Sequence, residues 1–447
     1  MSIVACAAPS SPIIGDIEAF LRAAIADLAP DPTEPVGRGR PRVLPALCLW
    51  SGLLVSVLRG FASQTDLWRL LTQQGLWDYP RFPVTDQAVY DRLADAGTAP
   101  MEQLFAHLTG LLAARLAPFA DADLAPFATD VVALDESDLD QMARLLPALP
   151  ALPARDAGLL GGTLAGVFDL RLQQWRRVAY RTDACQNEKV IARDMVADLP
   201  VGSLIVAGCP LGSIGYFGFQ WFDDLTDAGY WWVSRLRAGT SYAVIHPYYQ
   251  DGETFDGLVW LGKHRADRAK HAVRLVQFRV GEHLHAYLTN VRDPRLLPMA
   301  EVARVYGRRW DFELAIKLIK RELGLHLVWS VKPVVIAQQV WAALCIAQIL
   351  HALRFEVARR AAVDVFDVSL PLLVRWMPRF AAQGEDPVAI FVERGRAAGF
   401  IRPSRRVVHA AQEIAAGAMT PLPRGTILAR TPRYAQRKCR PRKEKSN

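Results

Sequence analysis

The apolar rhythm of the chain between residues 131 and 207 constrains its fold more than any other feature. VVALDES, from Val131, is a short β-branched run leading to Asp135. GTLAGVFDLRLQQWRRVAYR reads as two strands joined by a tight turn, NEKVIARDMVADL as a helix, and SLIVA as a fourth, buried strand. Strand, hairpin, helix and strand in that order specify a mixed α/β sheet. A β-rich stretch follows from about Tyr230 to Asn290, carried by YWWVSRL, SYAVIH, GLVWLG, AVRLVQFRV and HLHAYLTN, with no long helix between them. The segment from Ile17 to about Ala120 is helical in pattern, and the chain is helical and irregular again from about Val357. These segments predict an α/β layer split by an inserted β-subdomain.

The segment after the β-rich stretch carries the chemistry. In VYGRRWDFELAIKLIKRELG, Tyr306, Arg309, Glu313 and Lys320 stand at offsets of three, four and seven. One continuous helix at about 3.6 residues per turn holds all four within an arc of roughly 60°. Phe312, Ile316, Ile319 and Leu323 form an apolar stripe beside that arc, suited to docking on a core. A carboxylate flanked by cations on one face can hold a divalent metal and grip phosphates at once. A solvated charged face with i,i+4 pairing, as in Glu313 with Lys317, accounts for any one of these residues and not for the aligned four.

This spacing resembles the Tyr-Arg-Glu-Lys signature of DDE transposases from bacterial insertion sequences, specifically insertion sequence family four. The resemblance runs from about Gly37 to about Leu353. It implies a ribonuclease H-like mixed α/β sheet interrupted by an inserted β-subdomain, with an N-terminal helical domain and a helical C-terminal region. It also implies metal-dependent cleavage and strand transfer at insertion-sequence ends. Glu313 takes the place of the family's third metal-binding carboxylate, and Asp135, in ALDESDLD, that of the first catalytic Asp. Asp135 and Glu313 would then hold Mg²⁺ (or Mn²⁺), and Tyr306, Arg309 and Lys320 would contact the DNA backbone. The implied partners are double-stranded DNA, as transposon ends and target, and a second copy in a synaptic dimer. Such chemistry needs two divalent ions about 3.5–4 Å apart, clamped by carboxylates. Asp135 suits the task as a polar residue ending an apolar strand at the sheet's rim, whereas Glu136, Asp138 and Asp140 are assigned to solvent.

The family's second carboxylate follows the fourth strand, two residues before a Gly-aromatic pair. In GSLIVAGCPLGSIGYFGFQWFDDL that position falls on Ser213 counted back from Gly215–Tyr216, or on Gly208 counted forward from the strand. Neither is an acid, and Asp223 and Asp224 lie on the next helix. Two readings follow: a transposase acting through Asp135 and Glu313, or a catalytically inactive DNA-binding remnant or end-binding protein. A generic α/β protein leaves the aligned quartet unexplained.

Other features bear on DNA less directly. TDLWRLLTQQG and VTDQAVYDRLADAG are short helices capped at Ser63 or Thr65 and at Thr85. They resemble a helix-turn-helix pair presenting Gln87, Tyr90 and Arg92, and a plain packed pair fits as well. GRGRPR (Gly37–Arg42) resembles a minor-groove hook, though a cationic lead into the next helix fits it better. The Arg- and Lys-dense C-terminal tail, opposed only by Glu444, suits phosphate contact or solubility alike. The aromatics Trp231, Trp232, Tyr242, Tyr248, Tyr249 and Trp260 crowd the β-rich stretch and read as core and cross-strand pairs; His283 and His285 read as structural. A net charge of +8 and a pI of 9.3 favour a polyanionic partner.

The start lacks a cationic n-region and a sustained apolar h-region, and the six cysteines are scattered singly. A cytoplasmic protein with reduced thiols is expected, bacterial and nucleoid-associated through DNA if the resemblance holds. VVIAQQVWAALCIAQILHAL carries Gln338, Gln339 and Gln348 and reads as a buried core helix, so no membrane partner is expected. The expected divisions are a helical N-terminal DNA-binding region (1–125), a ribonuclease H-like core in two parts (126–229 and 293–355) around the inserted β-subdomain (230–292), a helical C-terminal region (356–425) and a basic tail (426–447).

Overall fold

The computed structural model describes residues 13–28, 43–138, 163–181, 188–207, 217–262, 267–325, 328–330, 332–404, 406 and 411–434. It is a mixed α/β fold dividing into two compact units. The first comprises Met1–Asp121, Asp135–Gln186 and Asp311–Arg406, and the second Ala122–Leu134, Asn187–Trp310 and Val407–Asn447. The hook motif at 37–42, the turn at 208–216 and the last part of the basic tail, from 435, lie outside the described residues.

The N-terminal part of the first unit folds as helices α1 (Ile17–Asp27), α2 (Ala46–Leu58), α3 (Gln64–Arg69), α4 (Asp86–Asp95) and α5 (Ala99–Leu116). Ser63 and Thr85 cap α3 and α4 by accepting from Asp66 N and Ala88 N, each at 3.2 Å. Tyr90 and Thr65 share a hydrogen bond at 2.8 Å, and Trp68 Nε1 donates to Val84 O at 2.9 Å, so α3 and α4 are packed together. The hairpin expected from GTLAGVFDLRLQQWRRVAYR is β2 (Thr163–Asp169) antiparallel to β3 (Gln174–Arg181). β1 (Val131–Asp138) is the strand next to β2 in the sheet.

VVIAQQVWAALCIAQILHAL forms the first two-thirds of a helix spanning Pro333–Ala361, whose most apolar stretch is 89% buried in protein. Its glutamines explain why polar residues sit in so apolar a helix. Gln338 Nε2 donates to Leu93 O at 2.7 Å and Gly97 O at 2.6 Å, satisfying carbonyls at the end of α4. Gln339 Oε1 accepts from Trp329 N at 3.0 Å. Gln348 accepts from Trp175 N and donates to Trp175 O, both at 2.8 Å. Each amide hydrogen-bonds backbone, and leaving a buried polar group of this kind unpaired costs about 1–3 kcal/mol.

The second unit holds the first half of β1 together with β4 (Leu204–Ala207), β5 (Trp231–Arg235), β6 (Tyr242–Asp251), β7 (Thr254–Leu261), β8 (Val273–Val280) and β9 (His283–Thr289). Their order is β1-β4-β5-β9-β8-β7-β6. Strands β1, β4 and β5 are parallel, with Val131 opposite Leu204 and Leu204 opposite Trp231. β9 then pairs antiparallel with β5, Val233 opposite Thr289. YWWVSRL therefore belongs to the parallel strands, and the antiparallel run beyond it continues their sheet.

Inside this unit Trp232 stacks on Phe222 with centroids 4.2 Å apart, and its Nε1 donates to Thr226 Oγ1 at 3.0 Å. Arg274 and Asp256 form a fully buried bidentate pair with two 2.6 Å bonds, and Arg274 Nη1 reaches Leu297 O at 2.6 Å. The start of the C-terminal tail is a strap here. Arg433 bridges Arg268, Ala429 bridges His271, and the Arg430 guanidinium lies 4.5 Å from the Trp260 ring centre.

Candidate active site

Asp135 lies within β1 and is 1% exposed. The sequence predicts that it ends the strand; β1 instead continues to Asp138. Asp135 Oδ1 accepts from Glu136 N at 3.0 Å. Alternation along a strand puts Ser137 on the same face as Asp135. Ser137 Oγ accepts a 2.7 Å hydrogen bond from Lys320 Nζ, so the last member of the quartet is anchored to β1 two positions from Asp135.

The quartet is not on one continuous helix. A helix over Met299–Arg308 ends with Arg309 at its C-cap, where Arg309 N bonds Tyr306 O at 3.1 Å and tightens the final turn. The helix Trp310–Lys317 follows and gives way to a π-turn over Leu318–Glu322, closed by Leu323 N to Leu318 O at 3.0 Å. Tyr306 and Arg309 fall in the second unit, and Glu313 and Lys320 in the first. A uniform 3.6-residue repeat therefore does not describe their directions. The apolar stripe does hold: Phe312, Ile316, Ile319 and Leu323 are all buried.

The helix bearing Glu313 has a built seat. The Phe312 ring packs edge-on against Trp175 with centroids 5.1 Å apart, and Gly166 leaves room for both rings. Asp311, 2% exposed in the first turn of this helix, accepts from Gln173 Nε2 at 2.8 Å and pairs with the Arg406 guanidinium. A carboxylate in the first turn also faces the positive end of the helix dipole. Glu313, two residues further in the same first turn, is half-buried. In the second unit the Tyr306 ring packs on Tyr287 with centroids 4.7 Å apart, and the Arg309 guanidinium lies 5.9 Å from the Tyr306 ring centre. Burial, with Tyr306 adding to it, pushes the Tyr287 hydroxyl up to about 12.

Sequence reasoning did not single out Ser137, Gln173, Asp311 or Arg406. Ser137 alone left a signal, as a hydroxyl two positions beyond the strand acid. Asp223 and Asp224 are engaged elsewhere. Asp223, 2% exposed, accepts from Lys270 N at 2.7 Å, His271 N at 3.1 Å and Tyr434 Oη at 2.9 Å. Asp224 pairs with Arg193 at 2.7 Å. Among the described residues no group of three or more His, Cys, Asp or Glu is gathered as a metal site.

Residues 211–349 match the family model described as transposase DDE domain, a span that contains Tyr306, Arg309, Glu313 and Lys320 and starts beyond Asp135. No curated protein matches the chain. Among solved structures it is similar to one titled "Cryo-EM structure of piggyBac transposase synaptic complex with hairpin DNA (SNHP)", at 10% identity and a TM-score of 0.39, over 86% of this chain and 81% of that one.

Proposed function

We propose that this chain is a DNA transposase that cleaves and transfers strands at the ends of an insertion sequence. The observation that carries the reading is the match of residues 211–349 to the transposase DDE domain, because that span holds Glu313 and Lys320. The Lys320–Ser137 bond supports it by fastening Lys320 of that span to β1 two positions from Asp135, all within the first unit. Asp135 and Glu313 supply hard carboxylate oxygens, the donor type that Mg²⁺ or Mn²⁺ takes together with phosphate oxygens. When bound, such ions activate an oxygen nucleophile and stabilise the leaving oxygen. Tyr306, Arg309 and Lys320 hold the DNA backbone, with Arg309 and Lys320 neutralising phosphates. The partners are double-stranded DNA at transposon ends and target, and a second copy in the synaptic complex. The ribonuclease H-like description of the sheet, and membership of insertion sequence family four, belong to the same proposal.

A specific observation favours the inactive alternative. Residues 208–216 contain no acid, and Asp223 and Asp224 already serve other partners. The test is Mg²⁺-dependent nicking of duplex containing the element's ends. Nicking that is lost in Asp135→Ala and in Glu313→Ala establishes the enzyme. End binding without nicking establishes the inactive binding protein. Absence of both sinks the transposase reading altogether.

A further inference from the structure

We propose that Asp311 is a positioning residue for Glu313: held by Gln173 and Arg406, it fixes the rotation of the helix Trp310–Lys317 and so sets the affinity of Glu313 for a divalent cation. The inference rests on the transposase reading, in which Glu313 is a metal ligand, and adds a residue that touches neither metal nor DNA.

Three observations carry it. First, Asp311 and Glu313 lie two positions apart in the first turn of one short helix. At about 100° per residue their side chains leave the helix on opposite flanks, roughly 160° apart. Asp311, 2% exposed, takes the buried flank, and Glu313 is half-buried on the other. A rotation of the helix that freed Asp311 would therefore move Glu313 with it. Phe312 between them packs on Trp175, but a ring contact tolerates sliding, whereas hydrogen bonds to a carboxylate are directional.

Second, one donor to Asp311 is held at a conformational cost. Gln173 ends the turn between β2 and β3 in the left-handed region, at φ 54°. A side chain disfavours that region, and glycine takes it freely. The buried Gln173 amide accounts for the residue: Nε2 donates to Leu170 O at 3.0 Å, which closes the turn, and to Asp311 Oδ2 at 2.8 Å. Asp169 Oδ1 braces the same turn by accepting from Arg171 N at 2.9 Å and Leu172 N at 2.8 Å. The amide is thus a fixed point from which the helix is oriented.

Third, Arg406 holds the other oxygen. Its guanidinium pairs with Asp311 Oδ1 and lies 3.8 Å from the Phe366 ring centre, and its backbone N bonds Ser404 Oγ at 3.3 Å. Burying a paired carboxylate in place of apolar side chains of similar size gains little stability. Orientation is what this arrangement adds.

The experiment titrates full-length protein with Mn²⁺ alone, read by loss of the free-ion electron paramagnetic resonance signal, beside a urea unfolding curve for each variant. Glu313→Ala defines the site as the binding it removes. At that site Asp311→Asn is expected to weaken Mn²⁺ about tenfold, the lower end of what residues supporting a metal ligand contribute. Arg406→Met has a similar effect and adds little in the Asp311→Asn background. Gln173→Gly removes the amide while relieving the left-handed backbone, which favours a folded variant. It should weaken Mn²⁺ about fivefold, the scale of one hydrogen bond to a charged group. A purely structural role would lower urea midpoints and leave Mn²⁺ affinity unmoved. Wild-type Mn²⁺ affinity in Gln173→Gly, whether or not Asp311→Asn folds, overturns the positioning role and leaves the transposase reading standing. Mn²⁺ binding that Glu313→Ala does not reduce overturns both.

Discussion

Replacing Gly166 by alanine tests whether β2, Trp175 and the helix of Glu313 form one packed seat. A Cβ at this position would lie 2.5 Å from Trp175 Cζ3, 3.0 Å from Trp175 Cε3 and 3.2 Å from Phe312 Cε2. Favourable carbon contacts begin at about 3.5 Å, so the rings must move. Trp175 has little room to retreat. It is fully buried, its ring packs edge-on against Phe168 and Phe312 with centroids 5.1 Å away in each case, and Gln348 holds its backbone N–H and carbonyl. Overpacking of this kind costs about 1–3 kcal/mol. Removing a glycine from a strand returns about 0.5–1 kcal/mol of that. The expected net loss is therefore about 1–2 kcal/mol, read as a lower urea midpoint at unchanged m-value by tryptophan fluorescence. The melting temperature should fall by roughly 2–8 °C on the scale of a large domain. Pairing Gly166→Ala with Trp175→Phe should recover part of the loss, because the smaller ring vacates the space. Unchanged or raised stability in the single variant, or no recovery in the pair, would refute the seat.

Two further outcomes follow from the buried charges and the buried histidine. Asp256→Ala leaves the Arg274 guanidinium, 0% exposed, without its carboxylate, and should cost about 3–5 kcal/mol by urea unfolding, whereas Asp256→Leu with Arg274→Met should cost much less. Burial, helped by the neighbouring Arg354 charge, pushes His351 down to about 3 from an ordinary 6.5, and among the described residues both its ring nitrogens lack a hydrogen-bond partner. The unfolded chain therefore binds this proton more readily, so stability is complete above pH 6.5 and falls as pH drops from 6.5 toward 3. The loss should reach about 2 kcal/mol at pH 5, and His351→Leu should remove that part of the difference in melting temperature between pH 7 and pH 5.

The parts of this fold that were legible in sequence are those decided locally. Alternation and β-branching mark β1 to β4, and Ser63 and Thr85 announce their helices because a cap is a contact three residues long. Gln338, Gln339 and Gln348 distinguish a core helix from a membrane span because buried amides need partners only protein supplies. What was not legible depends on distant partners. YWWVSRL carries the same pattern whether its neighbour is parallel or antiparallel, so its membership beside β4 is decided by Leu204 and Trp231 pairing across the chain. The π-turn at Lys320 is equally hidden, since Ile316, Ile319 and Leu323 keep an apolar spacing that fits an α-helix; the contact associated with it spans 183 positions to Ser137. Asp311 reads as a surface acid until Gln173 and Arg406 close on it.

The catalytic question turns on energies at Asp223 more than on the quartet. To swing away from its present position, Asp223 would have to release two backbone N–H groups and the Tyr434 hydroxyl. Tyr434, whose hydroxyl is pushed up by burial and by Asp223 itself, is a neutral donor at any physiological pH and gives that bond steadily. Bonds to a charged acceptor contribute about 1.5–3 kcal/mol each, so releasing all three costs several kcal/mol before any ion is gained. The same three bonds anchor the tail strap and the start of β8's approach to its neighbours, so the cost would also be felt as lost stability in the second unit. Asp223 is thus better accounted for as a structural acceptor, and a site of two carboxylates is what the nicking assay puts to the test.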